Sequence, residues 1–262
     1  HATALAEVSL TASTIADLDI TDAAGVEAAF ALRPDWVINC AGWTRVDDAE
    51  EHEAEATRIN GEAVGIIGRA ATAVGARVLH ISTDYVFDGR LGRPYREDDR
   101  PNPESAYGRS KLAGERALAT VDGGRWTVVR TQWLYGGGPS FVRTMWRKAK
   151  AGERARVVDD QFGAPTHVSE LAQAIWRLVR EDARGIWHAA ASGYTNWYEV
   201  ARLVYAGAGA DPGLVTPCST EEFNAKAPRP ADGRLDTSKL GAMRRFDEVL
   251  VEALGAAGST PP

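Results

Sequence analysis

The chain has 262 residues, 25% charged and 44% hydrophobic, a length and balance that suit a globular α/β fold and exclude a disordered chain. Thirty basic and 36 acidic side chains give a net charge of −6 with no basic cluster, so a nucleic-acid partner has no electrostatic support. No apolar run approaches the roughly 18 residues of a membrane span, and two cysteines, Cys40 and Cys218, fit a reducing, cytoplasmic compartment without disulfides.

In chain order, His1–Ala6 reads as the end of a helix already in progress, and Val8–Thr11 as a first buried strand. Leu18-Asp19-Ile20 marks a further strand end, and Thr21-Asp22 caps a helix over Ala23–Leu32. Strands follow at Trp36–Asn39, Arg77–Ser82 and Thr127–Arg130. Between them run helices over Ala54–Val74, closed by Gly75, and over Tyr107–Thr120. Short apolar strands alternating with longer helices predict βαβ units, joined right-handed into a doubly wound parallel sheet of Rossmann type. Beyond Trp133, prolines interrupt the pattern, although Val168–Arg180 and Trp197–Ala206 still read as amphipathic helices and Ile186–Ala190 as one more strand. This organisation predicts a cofactor-binding domain over 1–132 and about 166–190. A smaller, interleaved substrate lobe covers about 133–165 and 191–255, with a disordered tail over 256–262.

Ligands of such sheets sit beyond the carboxyl ends of the strands. There the sequence places Ser82-Thr83, hydroxyls able to bond a substrate oxygen or simply to cap the strand end. Tyr107-Gly108-Arg109-Ser110-Lys111 opens the next helix, with phenol and ammonium four residues apart on one face. A neighbouring lysine favours the phenolate and should bring the tyrosine pKa down from about 10. A strand-end hydroxyl with a Tyr/Lys pair is equipment for moving a proton on or off a carbonyl or alcohol oxygen. After Asn39, the small residues Cys40, Ala41 and Gly42 let a flat cofactor approach the backbone. Cys40 itself reads as a small buried residue. Asp19 either accepts from an adenine amine or only carries charge at a helix start. The five histidines show no metal-ligand spacing; His80 reads as a strand residue, and His167 and His188 stay without a role.

These segments resemble the extended short-chain dehydrogenase/reductases and, within them, the dTDP-4-dehydrorhamnose reductase family. The resemblance rests on Asn39–Asp47, Ser82–Gly89, Tyr107–Glu115, Arg130–Gly136 and the string Asp160-Gln161-Phe162-Gly163-Ala164-Pro165-Thr166. It covers about Asp17 to Leu240. Tyr-x-x-x-Lys indicates only the superfamily, whereas Ser-Thr-Asp-Tyr-Val-Phe and Asp-Gln-Phe-Gly-Ala-Pro-Thr are far more specific.

The resemblance implies reduction, by a nicotinamide cofactor, of the C4 ketone of a dTDP-linked 4-keto-6-deoxyhexose; Thr11-Ala12-Ser13-Thr14, with neither an acid for a ribose 2′-hydroxyl nor an arginine for a 2′-phosphate, leans to NADPH with NADH accepted. In it Tyr107 is proton donor, Lys111 its partner and ribose contact, and Thr83 the carbonyl's hydrogen-bond donor. Asp19, Ile20, Cys40, Ala41, Gly42 and Ser82 fall on the cofactor side, and Asp84 and Trp133 on the sugar side, Trp133 having a core aromatic as its simpler account. Arg229 either pairs with the diphosphate or is an ordinary surface arginine. Glu170 alone is thin support for Mg²⁺. Monomer and homodimer are both compatible. The family's first strand and glycine-rich turn have no counterpart before His1, and truncation or disorder is the expected reason. Two other readings stand beside this one: a ketoreductase for another nucleotide-linked 4-keto sugar, and a non-catalytic cofactor-binding regulatory subunit.

Overall fold

The computed structural model describes residues 8–256. Six strands longer than two residues occur among them: β1 (Trp36–Asn39), β2 (Arg77–Thr83), β3 (Trp126–Thr131), β4 (Ala155–Val158), β5 (Gly185–His188) and β6 (Val215–Cys218). The main helices are α1 (Ala23–Phe30), α2 (Glu53–Thr57), α3 (Ala63–Val74), α4 (Ala106–Ala119), α5 (Phe141–Lys150), α6 (Val168–Arg180), α7 (Trp197–Gly207) and α8 (Phe246–Ala256).

Four strands form one parallel sheet in the order β1-β2-β3-β5. Their apolar runs are continuous because both faces are covered. Val78 and Val128 look toward α1 and α3, where Val26, Phe30, Val64 and Ile67 close one core. The next residues, Leu79 and Val129, look the other way, onto Leu171, Ala174 and Leu178 of α6. A separate core joins α5, α7 and α8 through Trp146, Val204, Tyr205 and Leu250, packed against Val157 of β4 and Val215 of β6. The registers Asn39↔His80 and Thr83↔Thr131 bring the carboxyl ends of three strands together at one edge of the sheet.

The expected strands Trp36–Asn39, Arg77–Ser82 and Thr127–Arg130 and the helix Val168–Arg180 are present to within a residue. Asp22 caps α1 by accepting from the Ala24 N–H, and Gly75 closes α3 in the left-handed region at φ 78°. Other expectations are corrected. Val8–Thr11 is exposed coil, with Leu10 81% exposed, because no described strand offers it a ladder. Leu18-Asp19-Ile20 lies in turns, not at a strand end. The helix expected over Ala54–Val74 is interrupted by a π-helical turn, Arg58–Glu62, between α2 and α3. Helices α5 and α8 were not foreseen, and Ala256 belongs to the last turn of α8 rather than to a tail. The helix end expected at His1–Ala6, and residues 257–262, lie outside the described residues.

Candidate active site

The site begins with a helix cap. Ser105 accepts from the Gly108 N–H at 3.0 Å and starts α4 at Ala106, so Tyr107 stands in the first turn. That turn lies hard against the chain after β2: a Cβ on Gly108 would fall 2.2 Å from the Tyr85 carbonyl oxygen. The rings of Tyr85 and Tyr107 meet edge to face at 5.5 Å. The half-buried phenol of Tyr107 faces the Thr83 hydroxyl. Thr83 Oγ1 also donates to Asp84 Oδ1 at 3.1 Å and accepts from the Tyr85 N–H at 3.2 Å. Burial pushes the Asp84 carboxyl up to about 7 and the Tyr107 phenol up to about 12; Thr83 opposes the latter shift and Asp84 adds to it. The tyrosine pKa thus moves opposite to the expectation from Lys111, because desolvation of the ring dominates. The lysine nitrogen has turned elsewhere.

Lys111 Nζ donates to the Ile81 carbonyl at 2.6 Å and lies 3.3 Å from His80 Nε2. His80 Nδ1 in turn lies 3.1 Å from Asn39 Nδ2, and Asn39 Oδ1 accepts from the Ala41 N–H at 3.1 Å. All three side chains are buried. Beside them, Cys40, Ala41 and Gly42 form an exposed strand end, which corrects the expectation of a buried Cys40. At Gly42 a Cβ would fall 2.8 Å from Asn60 Oδ1 and 3.7 Å from Lys111 Nζ, so only glycine keeps this approach to the lysine open. Asn60, fully buried on the π turn, accepts from the Trp43 N–H at 2.8 Å and donates to the Trp43 carbonyl and to Ser110 Oγ. It pins the loop after β1 to α4.

Thr83, Asp84 and Tyr107 are therefore brought together, and Lys111 joins the strand end of Cys40–Gly42. Ser82 is engaged differently: its hydroxyl donates to Glu115 Oε1 at 2.5 Å, and Arg130 holds both oxygens of that carboxylate at 2.9 and 2.7 Å. Asp19 Oδ1 accepts from the N–H and hydroxyl of Thr21 at 2.9 and 2.8 Å, and Ile20 packs against the α1/α3 core. Trp133 carries an unusual left-handed backbone for an aromatic residue, φ 49°. Its ring stacks on Trp197 at 3.7 Å and lies against Gly163, where a Cβ would approach it to 2.7 Å. Arg229 is no ordinary surface arginine: it holds Asp47 by two bonds, 2.8 and 3.1 Å, and donates to the Ala227 carbonyl at 2.9 Å. Among the described residues no group of three or more His, Cys, Asp or Glu could hold a metal ion; Glu170 faces Arg244 at 3.8 Å.

Asn60, His80, Glu115 and Arg130 were missed by the sequence reading as site-forming residues. Their signal was present but weak: each is a polar residue within an apolar or helical run, and only the fold reveals what it bonds.

Residues 1–253 match the family described as RmlD substrate binding domain. A dTDP-4-dehydrorhamnose reductase of Streptomyces griseus is 42% identical, over 94% of this chain and 86% of its own. A dTDP-4-keto-6-deoxy-D-glucose reductase of Streptomyces niveus is 43% identical, over 82% of this chain and 75% of its own. The crystal structure of a dTDP-4-dehydrorhamnose reductase from Bacillus anthracis in complex with NADP superposes with a TM-score of 0.91 at 35% identity, covering 94% of this chain and 90% of that one.

Proposed function

The chain belongs to the RmlD substrate binding domain family, and on that premise we propose that it reduces the C4 ketone of a dTDP-4-keto-6-deoxyhexose, dTDP-4-dehydro-L-rhamnose to dTDP-L-rhamnose, with NADPH as reductant and NADH accepted. The observation that carries this reading is the Thr83–Tyr107 pair at the carboxyl end of β2, with Lys111 one turn further along α4. The cofactor side is Asp19, Ile20, Cys40, Ala41, Gly42, Ser82, Tyr107 and Lys111. The open approach that Gly42 leaves beside Lys111 Nζ fits such a group. When bound, the reduced nicotinamide supplies the hydride.

The protein's own work is proton supply and orientation. Thr83 holds the ketone oxygen by a hydrogen bond, so that charge developing there meets a fixed donor. Tyr107, kept protonated by burial, delivers its phenolic proton to that oxygen as the alkoxide forms. Lys111 lies at the strand end, where it orients the cofactor ribose. Asp84, just after β2, and Trp133, at the start of the second lobe, contact the sugar, with Trp133 held rigid between Trp197 and Gly163. The division into a cofactor half, 1–132 and about 166–190, and a substrate half, 133–165 and 191–255, is supported by a separate α5/α7/α8 core, with Leu235 and Leu240 of the substrate half packed on the sheet side. Mg²⁺ has no part in this reading. Among the described residues no helix is long and apolar enough to cross a membrane; we take the protein to act in the cytoplasm, as a monomer or homodimer.

The test follows NADPH absorbance with dTDP-4-dehydro-L-rhamnose for the wild type and Tyr107→Phe. Oxidation that falls by about 10²-fold or more in the variant, with NADPH still bound, supports the reading. Equal rates in both proteins would remove Tyr107 from the chemistry. Oxidation with another dTDP-4-keto sugar alone would move the substrate, and NADPH binding without turnover of any keto sugar would favour a regulatory subunit.

A further inference from the structure

Behind Lys111 lies a buried polar chain whose hydrogens can be assigned by elimination. A backbone N–H only donates, so the Ala41 N–H fixes Oδ1 as the Asn39 atom it meets, at 3.1 Å. Asn39 Nδ2, a donor, is then the atom facing His80 Nδ1 at 3.1 Å, and Nδ1 must accept. Complete burial holds the imidazole pKa well below its ordinary value, so His80 is neutral with its one proton on Nε2. That N–H points at Lys111 Nζ, 3.3 Å away. An ammonium has three hydrogens and no lone pair, and would oppose the His80 N–H; an amine accepts it while still donating to the Ile81 carbonyl at 2.6 Å. Turning either side chain does not help. A proton on His80 Nδ1 would face the Asn39 amide hydrogens, and a flipped Asn39 would set its NH₂ against the Ala41 N–H.

We propose that Asn39 and His80 are positioning residues for Lys111: the Asn39 amide, oriented by the Ala41 backbone, keeps the His80 proton on Nε2, and that N–H, aimed at Lys111 Nζ, opposes a third hydrogen on the lysine nitrogen. The groups around the lysine nitrogen agree. Burial is the main cause bringing Lys111 down to about 8, while Glu115, one turn further along α4, and Cys40, at the end of β1, pull the other way. The Glu115 carboxylate is already held by Arg130 and Ser82. Tyr107, one turn earlier, is an uncharged phenol, and Asn60, beyond Gly42, is uncharged. Ala41 belongs to the strand end proposed to meet the cofactor, so a contact made there reaches Lys111 through three hydrogen bonds.

The proposal takes Lys111 as part of the site above, but its test reads nitrogen atoms rather than turnover, so either reading can fail without the other. Two-bond ¹H–¹⁵N correlation of histidine-labelled protein distinguishes the Nε2–H from the Nδ1–H tautomer, with His80 assigned by loss of its signal in His80→Gln. Labelled lysine then follows the titration of the five lysines, with Lys111 assigned by Lys111→Arg. The wild type should show the Nε2–H form. In Asn39→Asp the new carboxylate accepts from both the Ala41 N–H and His80 Nδ1–H, which turns Nε2 into an acceptor. The Lys111 midpoint should then rise by about one pH unit, a tenfold gain in proton affinity. Part of that rise is the plain attraction of the added charge, which persists in Asn39→Asp/His80→Gln; there the rise should fall to less than half. An Nδ1–H tautomer in the wild type, or equal rises in the two backgrounds, would overturn the proposal.

Discussion

Burial holds the proton on Tyr107, and the residue next to Thr83 governs how that burial responds to pH. Asp84 is 3% exposed and its carboxyl is pushed from 3.8 up to about 7, desolvation outweighing the hydrogen bonds from Thr83 and the backbone. A carboxyl whose folded pKa is raised contributes stability below its unfolded value, and loses it as the pH climbs through the folded one. The wild type should therefore weaken between about pH 4 and pH 7 as Asp84 ionises. Asp84→Asn has nothing to ionise there. We expect its melting temperature to gain on the wild type by several degrees between pH 5 and pH 8, read by calorimetry at both values. A constant difference would mean that Asp84 is not ionising in the fold. The same ionisation raises the Tyr107 pKa further, through the charge it places beside the phenol.

At the scale of elements, the position of α4 decides whether Tyr107 meets Thr83 at all. Three contacts set it. Gly114 packs so closely that a Cβ would fall 2.1 Å from the Asn60 carbonyl oxygen, and Gly108 does the same against Tyr85. The third is the Glu115–Arg130 pair, 5% and 1% exposed, which ties α4 to β3 and to Ser82 of β2. Removing one member of a buried pair leaves a charge with no partner, so Arg130→Met should lower the unfolding free energy by about 3–5 kcal/mol in urea titration. Glu115→Leu/Arg130→Met should recover most of that loss. If the double variant remains as unstable as the single one, the pair is needed for packing rather than for charge balance.

The same elements explain what could be read from the chain. The strands were legible because burial on both faces writes an uninterrupted apolar run, α6 because its apolar positions recur at helical spacing, and Asp22 and Gly75 mark helix ends by local chemistry. The Tyr107/Lys111 spacing was legible as a helical face. The direction of the tyrosine pKa was not: spacing reports which residues share a face, whereas Ile81 and His80, 30 and 31 residues earlier, decide where the lysine nitrogen points. The π turn at Asn60 was hidden for a similar reason, since its buried amide is satisfied by Trp43 and Ser110, far away in sequence. Val8–Thr11 failed differently; its apolar character is real, but a strand exists only with a neighbour to pair with.

For the molecule as a whole, the decisive segment is the one that crosses between the two cores. Residues 226–236 leave the second lobe and bind the sheet half at successive points. Lys226 pairs with Glu51, the Ala227 N–H and Arg229 both reach Asp47, and Pro230 and Ala231 lie against Gly89. Gly233 sits over Asp84, where a Cβ would fall 2.5 Å from Oδ2, and Leu235 bridges to Tyr95. Asp47 is the hub of this crossing, taking the Ala227 N–H at 2.9 Å and both arms of the Arg229 guanidinium. Exposed ion pairs contribute little individually, but this one is bidentate and reinforced by a backbone donor, and its arginine is more than four-fifths buried. Asp47→Ala should therefore free the crossing segment without unfolding the sheet. We expect amide exchange over 226–230 to quicken by about tenfold, equivalent to ~1.4 kcal/mol of local opening, while the amides of β1, β2 and β3 keep their protection. Because the freed segment lies beside Asp84 and Tyr85, KM for the dTDP-sugar should rise more than kcat falls. Exchange that quickens equally in the sheet would show that Asp47 supports the fold at large, and unchanged exchange would show that the crossing is held by its apolar and backbone contacts alone.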